Sequence, residues 1–144
     1  MPSVKDLMTK NGITIDLNKT VFDAAVLMSE KEIACLVIMD DKTPIGIVTE
    51  RDFIRRVVSK KTPLDTKISE IMSKPIITVD PDSSLRDAAR LMINSKIRRL
   101  PVVKENKLVG ILVVSDFAQQ LSKKTITEEI WEAMARYPLY PQQY

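Results

Sequence analysis

The sequence contains no histidine, one cysteine and three glycines in 144 residues. Histidine is the commonest general base and metal ligand near neutral pH. Its absence excludes serine–histidine and cysteine–histidine nucleophiles and the usual zinc sites. The single cysteine, Cys35, has no partner for an intramolecular disulfide and lies in an apolar run, where we expect it to act as a small buried hydrophobic side chain. Most classes of enzyme are therefore disfavoured.

Long apolar runs are equally scarce. The longest, residues 33–39 and 108–114, have seven residues each, whereas a membrane-spanning helix needs about 20. The first residues do not show the pattern of a signal peptide. We therefore expect a protein without a membrane-spanning segment that resides in the cytoplasm.

The charge and the aromatic content argue against nucleic acid as the partner. The net charge is only +3, and aromatic residues make up 5% of the chain. Nucleic-acid binding favours clustered basic residues interleaved with aromatic side chains on which bases stack. Here the basic residues form separate pairs, at positions 55–56, 60–61, 98–99 and 123–124. Such pairs are typical of solvated helix ends and loops, and they fit a small anionic ligand better than nucleic acid.

An internal repeat dominates the sequence. A shift of 64 residues aligns residues 4–53 with residues 68–117 without a gap, and 16 of the 50 aligned positions are identical. Unrelated segments of average composition would share about 3. The chain is therefore a duplicated module. The identities include Met8 with Met72, Thr14 with Thr78, Gly46 with Gly110, and Asp52 with Asp116.

Both copies predict the same order of elements, β-α-β-β-α. A short β-branched segment at residues 13–15 is followed by a helix at 21–30, whose apolar residues recur with helical spacing and whose start has the pattern of a capping box. Two apolar strands around a polar turn and a second helix at 50–58 complete the copy. The corresponding helices of the second copy are expected at 85–94 and 116–122.

These elements predict a fold of the α/β (α+β) class. Strands that are apolar on both faces need cover on both faces. We therefore expect two small sheets packed with helices, with the two copies related by a pseudo-twofold axis and packed through their sheets. The repeats are placed at residues 1–60 and 68–124, joined by a linker at 61–67. A helical tail at 125–144 follows the second repeat.

The stretch from Gly46 to Arg55 carries most of the chemistry. A strand ends there, the glycine permits close approach, and a helix opens with Thr49 and, three residues on, Asp52. Free N–H groups at a helix start bind anions such as phosphate, and the Thr49 hydroxyl and the charge of Arg51 or Arg55 would add to this attraction. The Asp52 carboxylate is placed to accept both hydroxyls of a ribose. The spacing therefore suits a nucleotide.

A structural alternative explains the same spacing. Thr49-x-x-Asp52 is close to a capping box, in which both residues serve only their own helix. On this motif alone, capping is the favoured interpretation. In the second copy, however, Asp116 is retained although Val113 stands at the position of Thr49. An aspartate kept without its capping partner suggests a role besides capping.

The ordered motifs resemble those of a tandem pair of cystathionine-β-synthase (CBS) domains, often called a Bateman module. The resemblance covers residues 4–124. It rests on Asp-Leu-Met and Glu-Ile-Met near the starts of the copies. It also rests on Ile-Thr-x-Asp followed by Asp-Ala-Ala-x-Leu-Met in each copy. Arg-Leu-Pro-Val-Val at 99–103 and two stretches with glycine six residues before aspartate complete it. No single motif is specific, but the ordered set, present twice, is.

The resemblance implies a non-catalytic regulatory module that binds adenosine-containing ligands, namely AMP, ADP, ATP or S-adenosylmethionine, in clefts between its two repeats. It implies no required cofactor and no metal. In the family pattern the hydroxyl at the position of Thr49 meets phosphate and the aspartate at the position of Asp52 meets ribose. Val113 cannot donate a hydrogen bond, so only Asp116 matches fully in the second copy. The two clefts are therefore expected to be unequal, with the better one using Thr49 and Asp52.

The resemblance also implies positions around the adenine. The segments near Thr14 and Thr78 and the hydrophobic-proline pair at Pro101 resemble those whose backbone frames the base; Val37 stands at the position of Pro101 in the first copy. Arg98 either enters a cleft or flanks a strand. The candidate ligand-binding residues are Thr14, Ile15, Thr49, Arg51, Asp52, Arg55, Thr78, Arg98, Pro101 and Asp116.

Partners and alternative functions complete the expectations. The resemblance implies a homodimer and a regulated protein partner that the sequence does not identify. One alternative is a nucleic-acid-associated protein that uses the basic pairs. Another is a pure interaction module with vestigial nucleotide sites, in which the tail with Trp131 is the contact surface. An enzyme with Asp52 as its base lacks a nucleophile, a metal site and a second base, and is disfavoured.

Overall fold

A computed structural model describes residues 2–10 and 12–118. The chain forms two compact units. The first-repeat unit comprises Gly12–Ile77, and the second-repeat unit comprises residues 2–10 together with residues 78–118. The N-terminal residues thus belong to the unit of the second repeat rather than to the repeat that follows them in the chain.

The described elements are short. In chain order they are α1 (Val4–Leu7), β1 (Thr9–Lys10), β2 (Thr14–Asp16), α2 (Val21–Lys31), β3 (Cys35–Asp40), β4 (Thr43–Thr49), α3 (Glu50–Asp52), α4 (Leu85–Ser95), β5 (Arg99–Lys104) and β6 (Lys107–Val113). α3 continues as a π-helix over Phe53–Val58, and a 3₁₀ turn covers Ile68–Glu70. A further helix begins at Asp116, but the rest of it and the predicted tail at 125–144 lie outside the described residues. No helix within the described ranges has the length and apolar character needed to cross a membrane.

The two longest helices, α2 and α4, begin where the capping patterns predict. The Thr20 hydroxyl oxygen accepts a hydrogen bond from the backbone N–H of Asp23 at 3.0 Å, and the Asp23 carboxylate accepts one from the N–H of Thr20 at 3.0 Å. The Ser84 hydroxyl oxygen accepts from the N–H of Asp87 at 3.0 Å. These side chains satisfy N–H groups that have no partner within the helix, and the predicted helix starts are confirmed.

The first-repeat unit contains a three-stranded sheet in the order β2-β3-β4. β2 is parallel to β3, and β4 is antiparallel to it. The helices and one face of this sheet enclose an apolar core, to which β2, α2, β3, β4, the π-helix and the 3₁₀ segment all contribute. Its buried side chains are Ile15, Val21, Ala24, Met28, Leu36, Ile38, Val48, Val57, Ile68, Ile71 and Met72.

The second-repeat unit contains a three-stranded sheet in the order β1-β6-β5, with both pairings antiparallel. Val79 forms a parallel bridge with Val102 of β5, in the place that β2 occupies in the other unit. Helix α4 buries its apolar face, including Ala88, Ala89 and Met92. The molecule is therefore of the mixed α+β class with two small sheets, as predicted.

Each sheet is completed by the first segment of the other repeat. In the first-repeat unit, Ser73 exchanges two backbone hydrogen bonds with Ile47 of β4, with N···O distances of 2.8 and 3.3 Å. In the second-repeat unit, Thr9 of β1 pairs with Ile111 of β6. Positions 9 and 73 correspond under the shift of 64 residues, as do positions 47 and 111. The repeats therefore exchange their first segments.

The exchange explains why both repeats have a glycine in the second strand of the hairpin. A Cβ atom added at Gly46 would lie 2.5 Å from Sδ of Met72. One added at Gly110 would lie 2.6 Å from the carbonyl oxygen of Thr9 and 2.7 Å from Sδ of Met8. The close approach that Gly46 permits is thus to the exchanged segment of its own unit.

The predicted linker, residues 61–67, runs along the first-repeat unit. The N–H of Val21 donates to the carbonyl oxygen of Thr66 at 2.8 Å, and the N–H of Phe22 donates to that of Leu64 at 3.1 Å. The start of α2 is thereby tied to the segment that carries the chain out of the first repeat. Since the linker leads directly into Ile68 of the core, it places the exchanged segment beside β4.

We expect Gly110→Ala to destabilise the chain more than Gly46→Ala. The new methyl group would meet a backbone oxygen at Gly110, whereas its nearest neighbour at Gly46 is a flexible thioether. Overpacking of this kind costs about 1–3 kcal/mol. At roughly 3 °C per kcal/mol for a chain of this size, thermal unfolding of the purified variants measures the two losses.

Shortening the two methionines provides a matched control. Met72→Ala removes the thioether that the new methyl group would meet at position 46, so the double variant should lose less stability than the sum of the single changes. Met8→Ala leaves the Thr9 carbonyl oxygen in place, so it should not relieve Gly110→Ala. Equal losses at both glycines, or full additivity at position 46, would contradict this packing.

Candidate functional site

The predicted site residues of the first repeat lie at one edge of its sheet. Because β2 and β3 are parallel and β4 is antiparallel to β3, the starts of β2 and β3 lie beside the end of β4. Thr14 pairs with Val37, Val37 pairs with Ile47, and Thr49 lies two residues further along β4. Side chains alternate between the faces of a strand, so Thr14 and Thr49 share one face of the sheet.

Ile15 points to the opposite face. Its side chain is buried in the core with Leu36 and Val48, away from the face that carries Thr14. Of this predicted segment, the structure therefore presents the exposed side chain of Thr14 and the backbone of Ile15. The role that the resemblance implied for the segment, backbone around an adenine, does not need the Ile15 side chain.

Thr49 and Asp52 form a buried pair at the start of α3. The Oδ2 atom of Asp52 accepts a hydrogen bond from the backbone N–H of Thr49 at 2.9 Å and lies 3.4 Å from the Thr49 hydroxyl oxygen. Only 2% of Thr49 and 3% of Asp52 are exposed, and no other polar or charged residue in the described ranges is buried. The capping interpretation of this spacing is confirmed.

Burial distinguishes Asp52 from the capping aspartates Asp6 and Asp23. It raises the pKa of the Asp52 carboxyl, and the Thr49 N–H together with the nearby arginine charges offsets only part of that increase. Asp6 and Asp23 accept the same kind of bond but are exposed, and their hydrogen bonds to Ser3 and Thr20 lower the pKa of each. Further hydrogen-bond donors would therefore stabilise the Asp52 carboxylate far more than the exposed ones.

The arginines of the motif differ in their surroundings. Arg51 is half-buried and Arg55 is exposed, both in the first two turns after Thr49, where the helix N-terminus favours an anion. Arg56, which the motif does not single out, faces Asp52, with 3.7 Å between its Nε atom and Oδ1. Its spacing of four residues from Asp52, typical of a helical ion pair, is the sequence signal that identifies it.

The second repeat keeps the cap without the hydroxyl. Oδ2 of Asp116 accepts a hydrogen bond from the backbone N–H of Val113 at 2.7 Å. Asp116 is half-buried, and burial raises the pKa of its carboxyl. The cap uses a backbone N–H that any residue except proline supplies, so the loss of threonine at position 113 does not free Asp116 from capping. The cap alone is therefore enough to explain the retention of Asp116, and the further role inferred from it stays a prediction.

The remaining predicted residues lie at the corresponding edge of the second-repeat sheet. Pro101 is buried in β5, and its carbonyl oxygen accepts from the N–H of Val79 at 3.1 Å. Thr78, next to Val79, is half-buried. Arg98 is also half-buried, and its carbonyl oxygen accepts from the N–H of Val114 at 2.9 Å, which attaches the start of β5 to the segment before Asp116.

The structure therefore brings the ten predicted residues together in two sets, one at the sheet edge of each unit. The first-repeat set has two threonine hydroxyls, two arginines and a buried carboxylate, whereas the second-repeat set has one threonine hydroxyl, one arginine and a half-buried carboxylate. In the part of the chain that is described, no group of three or more His, Cys, Asp or Glu side chains is arranged to hold a metal ion. The chemistry available is hydrogen bonding and charge.

We expect Asp52→Asn to be more stable than the wild type near neutral pH and Asp52→Ala to be less stable. Asparagine keeps an oxygen for the Thr49 N–H and removes the buried charge, whereas alanine leaves that N–H unpaired, which costs about 1–3 kcal/mol. Because the folded-state pKa of Asp52 is raised, wild-type stability falls as pH rises through that pKa. The advantage of the asparagine variant should grow over this window and then level off in urea unfolding from about pH 4 to about pH 8.

Asp23→Asn is the matched control, since Asp23 also accepts the N–H three residues before it but has a lowered pKa. Its carboxylate contributes stability that is present above the ordinary pKa and is lost as pH falls through the lowered one. Removing that charge should therefore reduce stability at neutral pH. The same sign of effect at both positions would show that burial does not govern the charge of Asp52.

Comparison with known proteins identifies the two repeats. A family model described as the CBS domain matches residues 4–59 and again residues 68–123. The CBS domain-containing protein YhcV of Bacillus subtilis is 36% identical over 126 residues, which cover 87% of this chain and 90% of YhcV. The matched residues include both sheet edges described above.

Solved structures agree with this assignment. The CBS domain pair of protein MJ0100, in complex with 5′-methylthioadenosine and S-adenosyl-L-methionine, matches with a TM-score of 0.76 and 28% identity over 86% of this chain and 98% of that one. CBSX2 in complex with AMP matches with a TM-score of 0.74 and 28% identity over 88% of this chain and all of that one. The resemblance seen in the motifs is confirmed, and the chain, with its two tandem copies of the domain, belongs to the CBS-domain family.

Proposed function

We propose that the chain is a non-catalytic regulatory module that binds an adenosine-containing ligand and signals its presence to a protein partner. The buried carboxylate of Asp52 carries the proposal. MJ0100 was solved with 5′-methylthioadenosine and S-adenosyl-L-methionine, and CBSX2 with AMP. These three compounds share adenine and a ribose with two hydroxyls, so the shared part is what the site would recognise. AMP, ADP, ATP and S-adenosylmethionine are therefore the candidate ligands, and no cofactor is needed.

The ribose would lie against Asp52. Its Oδ2 atom serves the cap, whereas Oδ1 is 3.7 Å from Nε of Arg56, beyond the distance of a good hydrogen bond. Oδ1 therefore retains capacity to accept ligand hydroxyls. Burial makes the charge of this carboxylate unfavourable. Two hydroxyl donors would therefore stabilise it more than they would stabilise a solvated aspartate.

A phosphate or another charged tail would lie near the start of α3. The Thr49 hydroxyl is only weakly engaged, at 3.4 Å from Asp52, and is available to an anionic oxygen. Arg51 and Arg55 add positive charge within the same turns, beside the N–H groups of the helix start. Thr14 would frame the base from the same sheet face. The residues of the second-repeat set would form a weaker site, because Val113 has no hydroxyl to donate.

The chain's chemistry favours binding over catalysis. It contains no histidine, and the one buried carboxylate in the described ranges already serves the cap at the start of α3. Oδ2 of Asp52 is held by the Thr49 N–H, and Oδ1 faces an arginine without a good hydrogen bond to it. A carboxylate held in this way is suited to fix a ligand by its hydroxyls.

We also propose that the chain acts as a homodimer. Five large apolar side chains of the first-repeat unit are exposed, on α2, the π-helix and the linker: Phe22, Val26, Ile54, Val58 and Leu64. The positions on α4 that correspond to Phe22 and Val26 are Arg86 and Arg90. An apolar face suits a second apolar face, whereas two arginine faces would repel. The two chains of the dimer would therefore pack through their first-repeat units.

We expect an adenosine ligand to raise the melting temperature of the chain and the rise to depend on Asp52. At a hundredfold excess over Kd, binding stabilises the folded state by about 2.7 kcal/mol, a shift of several degrees. Asp52→Asn keeps the cap but cannot accept two hydroxyls in the same way, so its shift should be much smaller. Thermal unfolding with AMP, ADP, ATP and S-adenosylmethionine measures this.

Thr49→Val tests the phosphate contact, since it gives the first repeat the residue that the second repeat has at Val113. It should weaken the binding of AMP more than the binding of adenosine, which lacks a phosphate. A folded wild-type chain that shows no shift with any of the four ligands at millimolar concentration would refute the proposal. Binding of RNA or DNA that falls steeply with salt and ignores Asp52→Asn would favour the nucleic-acid alternative.

We expect Phe22→Arg combined with Val26→Arg to convert the homodimer to a monomer. The change gives α2 the residues that α4 carries at the corresponding positions and places like charges across the proposed interface. Sedimentation velocity over a range of protein concentrations measures the result. Arg86→Gln is the matched change on α4 and should leave the dimer intact. A wild-type chain that is monomeric at high micromolar concentration would contradict the proposal.

A further inference from the structure

Arg56 joins the candidate site to the exchanged segment. Its Nη1 atom donates hydrogen bonds to the carbonyl oxygens of Ile71 and Met72, both at 3.0 Å. Its Nε atom lies 3.7 Å from Oδ1 of Asp52. One guanidinium group therefore contacts two backbone acceptors at one end and faces the buried carboxylate with another nitrogen.

The acceptors of Arg56 are firmly held. Ile71 and Met72 are buried in the core of the first-repeat unit. The next residue, Ser73, forms two backbone hydrogen bonds with Ile47 of β4. Since the guanidinium is planar and its donors have fixed directions, anchoring Nη1 on these carbonyl oxygens also fixes where Nε points.

We propose that Arg56 is a positioning residue of the ligand site: anchored on the carbonyl oxygens of Ile71 and Met72, it holds the Asp52 carboxylate with Oδ1 available to the ligand hydroxyls. The proposal rests on the function proposed above for Asp52. Arg56 would act through the carboxylate rather than by touching the ligand. Its effect should therefore be confined to ligands that carry the two hydroxyls.

The charges around Asp52 support a specific role for Arg56. The groups that favour its ionised form are, in decreasing order, the Thr49 N–H, Arg56, the Thr49 hydroxyl and Arg51. Among the described residues, the one favourable contribution at Asp116 is the Val113 N–H. The position that corresponds to Arg56 in the second repeat is Gln120, which has no charge. The held carboxylate is thus a property of the first-repeat set.

Binding of two ligands to three variants tests the proposal. The ligands are AMP and 2′,3′-dideoxy-AMP, which lacks both hydroxyls. The variants are Arg56→Gln, Arg56→Lys and, as a control for charge, Lys60→Gln at an exposed position. Arg56→Gln should weaken the binding of AMP about tenfold, equivalent to about 1.4 kcal/mol, and change the affinity for the dideoxy ligand less than about twofold. Lys60→Gln should change neither affinity.

A measurement without ligand tests the contact between Arg56 and Asp52 independently of whether the site binds a ligand. Carboxyl ¹³C NMR should show a higher pKa for Asp52 in Arg56→Gln than in the wild type, because a favourable charge has been removed. The acid limb of AMP binding should move to higher pH with it. Arg56→Lys keeps the charge on a single ammonium group, which cannot both anchor on the carbonyl oxygens and face Asp52, so it should restore the pKa more fully than the AMP affinity.

The outcomes distinguish the two proposals. Equal weakening of both ligands by Arg56→Gln, or an unchanged pKa of Asp52, overturns the role of Arg56. A wild-type chain that binds AMP no better than the dideoxy ligand overturns the ribose role of Asp52 instead. In that case an unchanged Asp52 pKa in Arg56→Gln still refutes the hold of Arg56 on the carboxylate, and a raised one still supports it.

Discussion

The pairing of each repeat's first segment with the hairpin of the other repeat is the constraint on which the rest of the structure depends. Without Ser73, β4 would present unpaired backbone groups along its outer edge, which folded proteins avoid. Ser73 closes that edge through Ile47, and Met72 fills the space that Gly46 leaves. The same segment supplies the carbonyl oxygens that anchor Arg56. The geometry beside Asp52 is therefore a consequence of the exchange.

Capping and the proposed ligand binding would not compete for Asp52, because a carboxylate has two oxygens. One fixes the first turn of α3 by accepting the Thr49 N–H, and that bond sets the direction of the other. Because burying the charge is unfavourable, a ligand hydroxyl that donates to the second oxygen would stabilise it strongly. A solvated carboxylate gains little when a ligand hydroxyl replaces water. The capping interpretation and the ligand interpretation of the Thr-x-x-Asp spacing thus describe the same side chain.

Local features of the sequence predicted the local structure. The contacts that the sequence did not predict join residues far apart in the chain. Helical spacing and capping patterns predicted α2 and α4, and apolar runs around polar turns predicted the hairpins. The alignment of the repeats shows which residues correspond but not which copy supplies a segment, so the exchange at Ser73 was not foreseen. The anchor of Arg56 on Ile71 depends on that exchange. Its spacing from Asp52 was visible, but its backbone acceptors were not.

Differences between the repeats are more informative about function than their identities. Some positions shared by both copies, such as Gly46 with Gly110, serve the packing that each unit needs. Among the positions that differ, Thr49 against Val113 lies at the sheet edge and Phe22 against Arg86 lies on the outer helix face. Two equal sites and two equal faces would call for similar residues at these positions in both copies. The divergence therefore favours one stronger ligand site and one self-associating face, both on the first-repeat unit.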